Sequence, residues 1–172
     1  MTKLSLLLKS ALLMACAVLV LSACGGKDIP LTGKQFPNEG QVHVAPGTPI
    51  NPKNYPPSSG NHYPSPIAWR FYDVAQPEGS WVHNLEHGGI VILYNCGTQP
   101  CNDLKKQLDG LYSKIKLDKF QSQKLVVTPN SKINTKLAII AWTWVDQMDA
   151  FDETRLLNFF NAHVNKGPED VP

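Results

Sequence analysis

Ile90-Val91-Ile92-Leu93-Tyr94 is an unbroken apolar run of branched and aromatic side chains, the pattern of a strand buried on both faces. Working outward, Cys96 to Cys101 forms a turn, and Asn102 can cap a helix whose apolar positions Leu104, Leu108, Leu111, Tyr112 and Ile115 recur every three or four residues. That helix is expected to end near Lys116. Leu125-Val126-Val127 reads as a short strand stopped at Pro129-Asn130. Leu137-Ala138-Ile139-Ile140-Ala141-Trp142-Thr143-Trp144-Val145 reads as one further strand, apolar on both faces. Asp152 then caps a last helix carrying Leu156, Leu157, Phe160 and Val164, which Gly167-Pro168 stops. Strand, helix, strand, strand, helix predicts a small single α+β domain, its sheet mainly antiparallel and its two helices on one face.

Seven of the 14 prolines fall between Pro46 and Pro66. Proline lacks an N–H and restricts the residue before it, so this stretch forms neither helix nor central strand. Its aromatic residues Tyr55, Tyr63, Trp69, Phe71 and Tyr72 mark it as a segment that wraps the domain and packs on it.

The amino-terminal end carries Lys3 and Lys9 without an acid, then the apolar run from Ala11 to Leu21. Eleven residues rise about 16 Å, short of the roughly 30 Å hydrocarbon core, which fits a signal sequence better than a permanent span. Leu21-Ser22-Ala23-Cys24 resembles a bacterial lipobox, which implies cleavage after residue 23 and acylation of Cys24, palmitate included. Residues 1–23 are thus expected to be a lipoprotein signal peptide, residues 24–40 a tether, and residues 41–172 the globular domain. Gly25 in place of aspartate favours the outer membrane, facing the periplasm, in a host with two membranes.

The chain has 16 basic and 14 acidic residues. Removing Lys3 and Lys9 leaves 14 against 14, so the mature protein is neutral and lacks the basic surplus that nucleic acid demands. The expected partners are the membrane, through the lipid anchor, and an envelope protein. Cys96 and Cys101 remain as a pair in an oxidising compartment, where a disulfide is the default.

Three of the five histidines fall in Ser59-Gly60-Asn61-His62-Tyr63-Pro64 and Val82-His83-Asn84-Leu85-Glu86-His87-Gly88-Gly89. Residues four apart share a face of either a helix or a strand, so His83 and His87 can converge on one ion in both. Glu86 joins them only if the segment is helical. His83 to His87 spells H-x-x-E-H, but Gly88-Gly89 deny the long supporting helix of the metalloproteases that carry it. The preferred reading is a transition-metal site of His62, His83 and His87, with Glu86 or Met148 as further participants. Imidazoles suit zinc or copper, and a methionine would tilt the site toward Cu(I). The structural alternative makes the histidines hydrogen-bonding struts, and His43 and His163 are read as surface or helix-face residues.

Together with Trp69-Arg70-Phe71-Tyr72 and the closing Gly167-Pro168-Glu169, these phrases resemble an exported bacterial and archaeal family called domain of unknown function 3105. The resemblance implies an exported or membrane-anchored domain and carries no activity. Three functions fit: a lipid-anchored protein holding or delivering copper or zinc at the cell envelope, a non-catalytic envelope interaction module, and, ranked last, a hydrolase with Glu86 as base.

Overall fold

The computed structural model describes residues 31–172, a small single domain with a five-stranded mixed sheet and three helices. The expected signal segment and Cys24 lie outside the described residues. In chain order the elements are β1 (Lys34–Gln35), α1 (Glu78–Glu86), β2 (Ile90–Tyr94), α2 (Asn102–Tyr112), β3 (Leu125–Pro129), β4 (Leu137–Ala141), β5 (Trp144–Met148) and α3 (Glu153–His163). The sheet order is β1-β5-β4-β2-β3. β2 and β3 run parallel, with Ile90 opposite Leu125, and α2 is their crossover; the other neighbouring pairs are antiparallel.

Period-two alternation divides the strand side chains between two cores. Ile90, Ile92 and Tyr94 of β2, with Leu125, Val127, Leu137 and Ile139, pack against Leu104, Leu108 and Leu111 of α2 and Leu156, Phe159 and Phe160 of α3. Val91 and Leu93, with Val126, Ala138 and Ile140, pack instead against Trp81, Val82 and Leu85 of α1. Ile50 and Tyr72 belong to this second core, and Val44, Tyr63, Ile67 and Trp69 pack against it. The sequence reading of two helices on one face is therefore incomplete, because α1 joins the core formed by the opposite set of strand side chains.

Two further differences have clear causes. The long strand read from Leu137 to Val145 is a hairpin, with Ala141 paired to Trp144 across Trp142 and Thr143. Thr143 takes the left-handed conformation, φ 64°, without glycine or asparagine to announce it. Both its backbone groups are engaged from afar, its N–H by Ser58 O at 2.8 Å and its carbonyl by Phe36 N at 2.7 Å. Lys34 and Gln35, within the stretch read as tether, pair with Val145 and Trp144 at the edge of the sheet. At the other edge, Tyr72 N donates to Val127 O and Val127 N to Arg70 O, covering part of β3.

Asp152 caps α3 as expected, its side chain accepting from Arg155 N at 3.0 Å. Asn102 does not cap α2; Cys101 holds that position, and it is bonded to Cys96 with the Cα atoms 5.4 Å apart. Among the described residues no helix is long and apolar enough to cross a membrane.

Candidate functional site

The site is built on α1. Its end is a Schellman motif: Gly89 N donates to Asn84 O and Gly88 N to Leu85 O, both at 2.9 Å, with Gly88 at φ 74°. Any side chain at Gly89 would collide with the Trp69 ring. The segment is thus helical through Glu86, which decides the question left open by the sequence. His83 and Glu86, three residues apart, share one face, and His87 caps the helix beside them.

The second wall is the proline-rich segment. His43 and His62 form a parallel bridge in which Val44 N donates to His62 O and His62 N to Val42 O. Gly60 N donates to Gly40 O one step away. Asn84, fully buried, fastens this segment to α1 by donating to Ile67 O and accepting from Ile67 N.

Within this frame the side chains converge. His43, His62, His83 and Glu86 each offer a ligand atom, and the four atoms lie within 4.8 Å of one another. The His62 side chain is wholly buried and that of Glu86 nearly so, while His43 is 47% exposed. The His43 ring stacks on His83, centroids 5.0 Å apart, and stands edge-on to His62 at 4.7 Å.

Backbone carbonyls fix two of the rings. His62 Nδ1 lies 2.8 Å from Gly60 O and His83 Nδ1 lies 2.7 Å from Tyr63 O. A carbonyl only accepts, so each Nδ1 carries hydrogen, and Nε2 is the atom each ring turns toward the cluster. Metal-ligating histidines are held in the same way. Burial pushes the His83 imidazolium below the ordinary histidine range; the Tyr63 carbonyl opposes this, and His87 and His62 add to it. His83 is accordingly a neutral donor. His62 Nε2 points at Glu86 Oε2, 2.9 Å away, and His43 Nε2 approaches the same oxygen at 3.4 Å.

Of the residues singled out from sequence, His62, His83 and Glu86 meet here. His87 is adjacent rather than central: its Nε2 lies 3.0 Å from His83 Nε2 and 3.4 Å from Glu169 Oε2, and it groups with Glu86 and Glu169. Met148 does not reach the site. It alternates onto the other side of β5 and is buried in the core with α2 and α3. His43 was read as a surface residue and belongs to the cluster; with no motif around it, only its bridge to His62 reveals the role. His163 is a buried residue of α3, in contact with Trp144 and Phe159.

The phrases shared with the family also meet in space. Trp69 lies against Gly89, Glu169 N donates to Glu86 O at 3.0 Å, and Asn165 N donates to Gly88 O at 2.8 Å. A family model described as a protein of unknown function, DUF3105, matches residues 43–172. The chain belongs to the DUF3105 family. No curated protein and no solved structure matches it. The DUF3105 match begins at His43, so every member of the His/Glu cluster lies inside the family domain.

Proposed function

We propose that this DUF3105 protein is a lipid-anchored extracytoplasmic protein that holds or delivers a transition metal ion, copper or zinc, at the cell envelope. In a host with two membranes it sits on the outer one, facing the periplasm. The observation that carries the metal reading is the buried 2.9 Å contact between His62 Nε2 and Glu86 Oε2. With the Nδ1 hydrogen committed to Gly60 O, Nε2 is the atom left to meet the carboxylate oxygen. Such a pair is held together by a cation between or beside the two atoms, or by a second proton. Three imidazoles and one carboxylate also supply the four donors that zinc takes. With Met148 in the other core, the set is nitrogen and oxygen without sulfur, which favours Zn(II) or Cu(II) over Cu(I).

Elemental analysis of tag-free protein, followed by calorimetric titration with zinc and copper, tests this. Micromolar or tighter binding that disappears in His62→Ala and in Glu86→Gln supports it; equal binding by wild type and both variants overturns it. The anchor is tested separately, by recovering the Cys24→Ala protein from the soluble rather than the membrane fraction.

The bonds from His62 and His83 to Gly60 O and Tyr63 O favour a second reading, an interaction module whose histidines are struts for the proline-rich segment. In that case crosslinked envelope partners persist after histidine substitution and no metal is retained. The hydrolase reading loses ground, since Glu86 is buried beneath His43 and His62 rather than open to a substrate.

A further inference from the structure

We infer that His43 is the exchangeable ligand of this centre, the side through which a divalent cation enters and leaves, so that the site is built to hand its ion over. This rests on the metal reading above and adds how the ion moves.

The four donors are not equivalent. His83 and Glu86 come from one helix turn and are buried, and His62 is completely so. The two buried rings are held by a backbone carbonyl at the nitrogen away from the cluster. His43 is half-exposed, and among the described residues no hydrogen bond reaches its Nδ1. Its neighbour Val42 is 59% exposed and Gly40, further back on the same side, has open space around its Cα, while Val44 on the other side packs against the second core. The His43 ring can therefore swing into solvent by giving up its stacking on His83, its edge contact with His62 and its approach to Glu86, whereas release of His62 or Glu86 requires opening buried structure.

The exchange step is a ligand substitution. The bond from the ion to His43 Nε2 breaks, its electron pair staying on the imidazole, as an incoming neutral nitrogen or oxygen donor forms a bond with its own pair. The ion keeps its charge, and His62, His83 and Glu86 hold it meanwhile. The acceptor is accordingly a donor that can approach from the solvent face of His43: a histidine-bearing protein surface or a small chelator.

The test uses the mature chain loaded with Zn(II), and transfer to a coloured chelator followed by stopped flow. Wild type is expected to release zinc at a rate that rises with chelator concentration. His43→Ala should still bind a single ion but release it at least about tenfold faster, since affinity changes within one site fall mainly on dissociation. Cu(II) bound to His43→Ala should show two rather than three nitrogen couplings by electron paramagnetic resonance, a loss that a merely structural role would not produce. Wild-type release rates in His43→Ala, or loss of binding as complete as in His62→Ala, overturn the inference while leaving the metal site standing. A wild-type chain that binds neither ion overturns both.

Discussion

The two cores of this domain are made differently. The core with α2 and α3 is formed by two amphipathic helices of eleven residues laid on alternate side chains of the sheet, and its buried cluster is apolar, with buried Asp146 and His163 beside it. The core with α1 is completed by one nine-residue helix and pieces of an irregular proline-rich segment, and beside it lie buried His62, His83, Asn84 and Glu86. Leucine and phenylalanine packing gains about 1.5–3 kcal/mol per side chain removed from water. Buried polar groups gain little net and cost much when unpaired. The contrast puts the amphipathic helix packing in the first core and the His/Glu cluster beside the second.

The largest expected effect breaks the first core alone. Phe159 is fully buried, and Phe159→Ala should cost about 3–5 kcal/mol, lowering the denaturant midpoint accordingly. Zinc affinity, measured by calorimetry where the variant is still folded, should not change. A parallel loss of affinity would show that the two cores are not separable.

That division also explains what could be read from the sequence. α2 and α3 repeat their apolar residues at spacings of three and four, and β2 is a short run of branched and aromatic residues after Gly88-Gly89, so all three were legible. Within α1, Gly79, Trp81 and every residue from Val82 to Glu86 are buried, so no polar face marks it as a helix. The β4–β5 turn was hidden because Trp142-Thr143 contains no turn residue, and its conformation is held by Ser58 and Phe36 from distant parts of the chain. His62, His83 and Glu86 were legible because glycines and aromatics cluster around them. His43 was not, since its place is fixed by a bridge to a residue 19 positions away. Met148 was misplaced once Leu137 to Val145 was taken as one strand, which removed the hairpin that assigns Met148 its side of the sheet.

The second effect sharpens the other half of the contrast. A ligand at about 100 times its Kd stabilises the native state by about 2.7 kcal/mol. Zinc should therefore raise the Tm of the wild type and of Phe159→Ala alike, but leave that of Glu86→Gln unmoved. A rise in Glu86→Gln of the wild-type size would locate the ion elsewhere.

The third concerns an ion pair on the first side. Asp146 is 3% exposed, and Arg155 of α3 donates Nε to its Oδ2 at 2.8 Å and Nη2 to its Oδ1. Burial acts to raise the Asp146 pKa, but the hydrogen bonds from Arg155 and Thr32 outweigh it and hold the carboxyl below the usual range. Its folded pKa being below the unfolded value of about 3.9, its contribution is fully present above that pH and is lost as pH falls through the folded pKa. Asp146→Asn should be less stable than wild type near neutrality, with the difference shrinking below about pH 4. Denaturant midpoints across that range check it, and a difference independent of pH would refute the assignment.

The smallest effect compares histidines on the two sides. His163 is 6% exposed, its ring centroid is 4.4 Å from that of Phe159 and 4.8 Å from that of Trp144, and its Nε2 has no partner among the described residues. Burial, with a smaller push from Lys166, lowers its pKa. Between the unfolded value near 6.5 and the lower folded one, the unfolded chain binds a proton that the native state refuses, so stability falls as pH falls through that window. A single group contributes at most about 1.4 kcal/mol per pH unit there. His163→Phe keeps the ring and removes the proton site. Wild type minus variant, from urea midpoints of metal-free protein between about pH 7 and 5, isolates His163, because every group common to both chains cancels in the difference. A flat difference would mean that this ring takes up its proton within the fold. All three rings are buried, so what sets His62 and His83 apart is the backbone carbonyl that orients each one.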